Sequence, residues 1–307
     1  MLSKCQKAMR KEIYDTMIIG PISLDIMIDC RDNEQHLVGG ASVQSGYAAS
    51  NIGARTAVFT KAAPDVDVYR AFENCPADVY WRPSAQTTSI RNKYFTEDKE
   101  TRECRLLSRC DPITFGDLPP VAARLYQFAG LVVGDFQDDI FREASSHGKV
   151  AVDVQCLLRC GEEDGSMPSR DWPEKLRYLP YIDYLKTDAA EAQILTGYDD
   201  RRKAARQLHA WGAKEIVITH NTEVLVYDGE QFYTCPIRSR NLSGRTGRGD
   251  TTFAGYITER LRKGIPQALL FASALVSLKM ETPGPFCGTR DDVLDYIDRF
   301  YTDQDPG

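Results

Sequence analysis

Between residues 130 and 219, short apolar runs alternate with helical stretches, and few architectures accommodate that rhythm. Gly130-Leu-Val-Val-Gly134, Val150-Ala-Val-Asp153, Tyr181-Ile-Asp-Tyr-Leu185 and Glu215-Ile-Val-Ile-Thr219 read as strands buried on both faces. Residues 136–148, 188–196 and 199–212 read as the helices that accompany them. The alternation predicts an α/β fold with a mostly parallel sheet and helices on both sides. Ligands of such sheets gather at the carboxyl ends of the strands. At 307 residues the chain has length for one large domain or two ordinary ones, and needs no covalent staples.

Upstream the pattern differs. Met17-Ile-Ile-Gly20 before Pro21 reads as a buried strand and turn, and Ser23–Asp29 alternates like a half-exposed strand. Leu37-Val-Gly-Gly-Ala-Ser-Val-Gln44 is a glycine-rich turn entering a small-residue helix. Residues 87–96 and Cys104-Arg-Leu-Leu107, joined by the charged run 97–103, read as a β-hairpin. With the strand near 23–38, that hairpin can form a small separate sheet.

The stretch that carries chemistry is 241–261. Its Ser, Gly and Arg residues turn into a helix whose apolar positions are Phe253, Tyr256, Ile257 and Leu261. Gly247 and Gly249 let the backbone turn sharply, and the first N–H groups of the helix lack internal partners, so they suit an anion. Asp250 sits at the mouth of that site. An anion hole beside a carboxylate is what phosphoryl transfer to a hydroxyl requires. The competing readings are an ordinary capped turn and, in Arg248-Gly249-Asp250, an adhesion tripeptide on a secreted chain.

Composition narrows the classes. A net charge of −6 argues against nucleic acid as the main partner. Nine scattered cysteines without a Cys-x-x-Cys pair suggest neither zinc nor a disulfide framework. The polar start and the absence of a spanning apolar run predict a cytoplasmic protein with no membrane partner. There is no Gly-x-x-x-x-Gly-Lys-Ser/Thr phosphate loop.

Gly247-Arg-Gly-Asp250, with Gly255 beyond it, resembles the Gly-Ala-Gly-Asp signature of the ribokinase-like (PfkB-type) carbohydrate kinases; Arg248 replaces Ala. Gly39-Gly40 resembles that family's first signature, with Gln44 where an Asn contacts the sugar. Lys186-x-Asp188-x-x-Glu191, followed by Leu195-Thr-Gly197, resembles Lys-x-Asn-x-x-Glu. The nucleotide loop Thr219-His-Asn221 lacks both family glycines, at Asn221 and Val224; Asn tolerates positive φ and can keep the first turn. Ser273 stands where an Asn is frequent, ahead of a loop containing Gly284. Asp153-Val-Gln155, with Arg159 further on, replaces Asp-Pro-Asn.

The resemblance spans roughly residues 17–300. It implies an α/β, ribokinase-like three-layer α/β/α fold over 1–307, with a small β-sheet lid from roughly 21–38 and 86–110. Asp250 would be the base, and the amides of Gly247, Arg248 and Gly249 the anion hole. Arg248 would either fold over the phosphates or point to solvent. Asp25, Gly39, Gly40, Gln44 and Arg159 would hold a small-molecule substrate, although Arg159 could instead pair with Asp153. Lys186, Asp188, Thr219, Asn221, Ser273 and Gly284 would serve ATP, and Glu191 with Asp188 would serve Mg2+. A monovalent cation and a homodimer through the lid are further implications. Two other readings remain open: a nucleoside kinase of the same fold, and a sensor that binds ligand without turnover.

Overall fold

The computed structural model describes residues 13–97, 102–137 and 139–302. The polar start and most of the charged hairpin turn lie outside the described residues. Thirteen strands are described: β1 (Tyr14–Ile19), β2 (Ser23–Ile28), β3 (Glu34–Gly39), β4 (Thr56–Ala62), β5 (Asp78–Pro83), β6 (Thr88–Tyr94), β7 (Arg102–Ser108), β8 (Ala123–Phe128), β9 (Lys149–Asp153), β10 (Tyr184–Asp188), β11 (Glu215–Thr219), β12 (Glu223–Tyr227) and β13 (Phe232–Pro236). Nine form one sheet in the order β13-β12-β11-β10-β9-β8-β1-β4-β5. It is parallel from β5 to β11 and antiparallel at the β12–β13 edge. The other four form a second sheet, β3-β2-β6-β7.

The large sheet is covered on both faces, which explains its unbroken apolar strands. Val150, Val152, Ile216 and Ile218 point into one cluster with Phe128, Phe141 and Leu195. Ala151 and Val217 point the other way, toward Phe253, Tyr256 and Leu275. The helices Arg248–Arg260 and Ile265–Lys279 supply that second layer. Each Val, Ile, Leu or Phe among them contributes roughly 1.5–3 kcal/mol by burial. Among the described residues, no helix is long and apolar enough to cross a membrane.

Two strands differ from the sequence reading. Residues 130–134 are a loop rather than a strand; the strand is the preceding Ala123–Phe128, with Met17 opposite Tyr126. The cause is Asp135, whose buried Oδ2 accepts the N–H groups of Leu131 (2.6 Å) and Val132 (3.0 Å) and folds the run into a turn. The strand expected at 181–185 begins at Tyr184, because Leu179–Tyr181 is a 3-10 turn carrying Pro180. The helix expected over 136–148 is shorter, Ile140–Ser145.

Candidate active site

The helix Arg248–Arg260 begins at Gly247, whose φ of 80° is left-handed and suits glycine. Thr251 N–H makes the first bond of the helical ladder, to Gly247 O (3.0 Å). The N–H groups of Gly249 and Asp250 therefore precede the ladder and face outward from the positive end of the helix dipole. The amide of Arg248 turns instead to Arg245 O (3.3 Å).

Around this end lies a knot of charge. Lys186, in the middle of β10, donates to Asp153 Oδ2 (2.8 Å) at the end of β9. Both are buried, at 5 and 3% exposure. A Cβ on Gly249 would lie 3.1 Å from Lys186 Nζ, so that ammonium sits directly beneath the helix start. Burial alone would lower the Lys186 pKa, but the charges of Asp153, Glu191 and Asp250 outweigh it and push it up. Burial, reinforced by Asp153, pushes Asp250 up to about 6, against the pull of Lys186, Lys279 and Arg159. A carboxyl poised there can exchange a proton near neutral pH.

Lys279 belongs to the same knot. It ends the apolar helix Ile265–Lys279, is 2% exposed, and donates through Nζ to Gly244 O (2.6 Å) and to Thr246 O. Burial lowers its pKa to about 8.

The glycine-rich turn after β3 reaches the same place. Gly40 caps the helix Ala41–Asn51, which carries Gln44. The Gln44 carboxamide lies against Gly247, where an added Cβ would fall 2.3 Å from Oε1. Gln44 Oε1 is buried without a hydrogen-bond partner. Asp25, on β2, has a buried Oδ1 in the same condition, and its other oxygen would lie 3.2 Å from a Cβ on Gly39. Burial pushes Asp25 up to about 6, opposed by Ser23 and Arg102. Two buried acceptor atoms without donors call for donors from a ligand.

Asp188 and Glu191 form a reciprocal cap on the helix Ala189–Thr196: Glu191 N–H donates to Asp188 Oδ1 (2.8 Å), and Asp188 N–H to Glu191 Oε2 (2.8 Å). Each carboxylate keeps its second oxygen outside that pair. Burial pushes Glu191 up to about 7. Among the described residues, no group of three or more His, Cys, Asp or Glu is placed to hold a metal ion. The second oxygens of Glu191 and Asp188 are the atoms that would meet the waters of a phosphate-bound Mg2+, since magnesium keeps its waters.

At the other rim, Asn221 follows β11. Its Oδ1 accepts from Arg248 Nη1 (2.8 Å) and Arg245 Nη2 (3.2 Å). Arg248 is thus tied to Asn221 and does not simply point to solvent. Asn221 is not left-handed either: among the described residues only Asp32 has positive φ without being glycine. The turn there is instead the tight β11–β12 connection, with buried Val224 paired to Thr219.

Of the other expected residues, Arg159 lies near enough to act on Asp250 electrostatically, whereas Ser273 and Gly284 lie apart. Arg159 donates to Gln155 Oε1 (2.9 Å) and not to Asp153, which is committed to Lys186. Ser273 is fully buried inside its helix, so no ligand reaches it in this conformation. Gly284 (φ 90°) lies in the exposed loop beyond Lys279. That loop borders a cavity of about 420 Å³, lined by Lys279, Thr282, Pro285, Phe286 and Tyr296 among others. Sequence reasoning missed Arg245 and Lys279. The second had a signal: a lone cation closing the apolar run 268–278.

The chain matches the profile of the pfkB family carbohydrate kinases over residues 118–287. It is similar to a pyrophosphate-dependent kinase in the ribokinase family complexed with a pyrophosphate analog and myo-inositol, at 33% identity and a TM-score of 0.83. That match covers 91% of this chain and 99% of the other. It is 24% identical over 264 residues to the inositol 3-kinase of Zea mays, covering 78% of this chain and 65% of that protein. Against the cytidine kinase of Thermococcus kodakarensis it is 44% identical over 70 residues, which is 22% of this chain and 25% of that one. The chain thus spans less than two thirds of either of these two curated relatives. With the three-layer architecture, the glycine-rich turn before Asp250 and the family profile in agreement, this chain belongs to the pfkB family of carbohydrate kinases.

Proposed function

We propose that the chain transfers a phosphoryl group to a hydroxyl of a cyclic polyol or sugar. The observation that carries this reading is Asp250, raised in pKa and set beside the open N–H groups at the helix start. Asp250 takes the proton of the acceptor hydroxyl as its oxygen bonds to the donor's terminal phosphorus. The bond from that phosphorus to the bridging oxygen breaks, and the leaving group departs with the bridging oxygen. The amides of Gly249 and Asp250 hold the equatorial oxygens, aided by the helix dipole. Mg2+, when bound with the donor, neutralises phosphate charge there. Asp25 Oδ1 and Gln44 Oε1 accept hydrogen bonds from acceptor hydroxyls, as their orphaned state invites. The β3-β2-β6-β7 sheet serves as the lid that excludes water, and its exposed β3 face as a dimer contact. Eight described cysteines are free, in keeping with a cytoplasmic enzyme.

For the acceptor, the similarity to proteins handling inositol favours a cyclic polyol. For the donor, pyrophosphate is favoured by two guanidinium groups, Arg245 and Arg248, gathered on Asn221 where only phosphates need be held. ATP is the second reading, supported by the cavity of about 420 Å³ beyond Lys279, where a base can sit. A nucleoside acceptor draws support from the cytidine kinase segment. One matrix decides: pyrophosphate and ATP, each against myo-inositol, ribose and cytidine, with phosphorus NMR of the products. Acceptor-dependent loss of pyrophosphate with myo-inositol is expected. Ligand binding with no product in any cell of the matrix would make the protein a sensor.

A further inference from the structure

The turn that aims the amides of Gly249 and Asp250 does not stand by itself. Its preceding residues are pressed onto the end of the helix Ile265–Lys279 and the residues just beyond. Gly244 N–H donates to Met280 O (2.7 Å), and Ser243 Oγ donates to Glu281 O (2.8 Å). Contact there is so close that a Cβ on Gly244 would fall 1.9 Å from Thr282 O. This approach leaves the carbonyls of Gly244 and Thr246 facing the interior. Both are taken by one group, the ammonium of Lys279, with Gly244 O at 2.6 Å.

A buried ammonium is costly unless hydrogen-bonded, and neutral carbonyls satisfy it in the way oxygen ligands satisfy a small cation. Here the positive charge also lies within the field of Asp250. A monovalent cation at this turn would compete for the same inward carbonyls, which an ammonium on a tether already occupies.

We propose that Lys279 is a built-in counter-ion and the positioning residue of the anion hole. Its ammonium draws Gly244 O and Thr246 O inward, and so fixes the turn from which Gly247, Gly249 and Asp250 project. Turnover is therefore indifferent to the monovalent cation in the buffer. The idea rests on the phosphotransfer reading for its kinetic consequence, but its structural half does not.

The test uses the full chain, wild type and Lys279→Ala, melted in sodium, potassium or propylammonium chloride and assayed with the active donor and myo-inositol. Propylammonium restores the atoms that the alanine lacks. The wild type should melt and turn over alike in all three salts. Lys279→Ala should lose turnover by roughly 100-fold, the scale of an ångström's misplacement at a reacting centre. Potassium or propylammonium should raise its melting temperature and recover at least tenfold of the rate, with no such effect on wild type. Wild-type turnover that rises severalfold with potassium overturns the proposal. So does a folded Lys279→Ala that keeps full rate, or one whose melting ignores both cations. If the alanine chain does not fold, Lys279→Met, which keeps the packing, must be inactive while the wild type remains salt-indifferent. A wild type without activity on any donor–acceptor pair would sink the phosphotransfer reading, and the melts would still decide the role of Lys279.

Discussion

The carboxamide of Gln44 packs against the backbone of Gly247, so that a Cβ at 247 would fall 2.3 Å from Gln44 Oε1. The helix that follows the first glycine-rich turn thereby touches the turn that starts the second. Gly247→Ala would meet two penalties: a left-handed φ of 80°, costing about 1–2 kcal/mol, and the clash with Gln44. Pairing it with Gln44→Ala removes the clash and leaves the backbone term. The double variant should therefore be more stable in urea than the sum of the two single effects predicts, with a coupling of roughly 0.5–3 kcal/mol. Strict additivity would mean that the two residues do not meet.

Lys186 and Asp153 make a second prediction. The pair is buried on adjacent parallel strands, so removing one partner leaves an uncompensated charge. Lys186→Met should cost about 3–5 kcal/mol in chemical denaturation. Adding Asp153→Asn should recover part of that loss, because the stranded carboxylate is gone. A single variant as stable as wild type would show that the pair is not buried as described.

Much of this was legible in the sequence, for identifiable reasons. The parallel sheet was readable because strands covered on both faces, such as Ile216–Ile218, must be continuously apolar. The glycine turns and Asp250 were readable because each glycine run leads directly into a helix, after Gly40 and after Gly247. Strand β8 was not, since Arg124 and Gln127 interrupt its pattern, while the more apolar Leu131–Val133 beside it is captured by the Asp135 carboxylate. Contacts across the chain were also hidden. Nothing local says that Lys279 reaches Gly244, that Gln44 reaches Gly247, or that Arg248 bonds Asn221. Those follow from how the layers stack.

Arg248 offers a kinetic prediction. Its Nη1 donates to Asn221 Oδ1 (2.8 Å) beside the start of the helix Arg248–Arg260, so under the proposed phosphotransfer the guanidinium would meet donor phosphate in the ground state. A charge-assisted hydrogen bond contributes about 1.5–3 kcal/mol, so Arg248→Ala should raise the donor KM by roughly tenfold or more. Its kcat should stay within a few-fold of wild type. Steady-state kinetics with varied donor separates this from an arginine finger, whose removal lowers kcat by about 10³ or more.

Asp250 supports the last prediction, which joins pH, stability and rate. Its folded-state pKa of about 6 lies above the ordinary value of 3.8, chiefly through burial. Between those two values the native chain holds a proton that the unfolded chain has lost, and above about 6 the native state carries an ionised carboxylate at a cost. That stabilising protonation is fully present below 3.8 and is lost as pH rises through 6. Asp250→Asn should accordingly melt higher than wild type at pH 8. The gain should shrink as pH falls from 6 toward 4 and vanish below. As a base, Asp250 must be ionised, so wild-type kcat/KM should drop about tenfold per unit below pH 6. Glu191, pushed up to about 7, titrates in the same region, which makes the asparagine variant the deciding measurement. Asp250→Asn should lose on the order of 10²–10⁴ in kcat while still binding donor in calorimetry. Retained turnover in that variant would remove Asp250 as the base, whatever its melting curve showed.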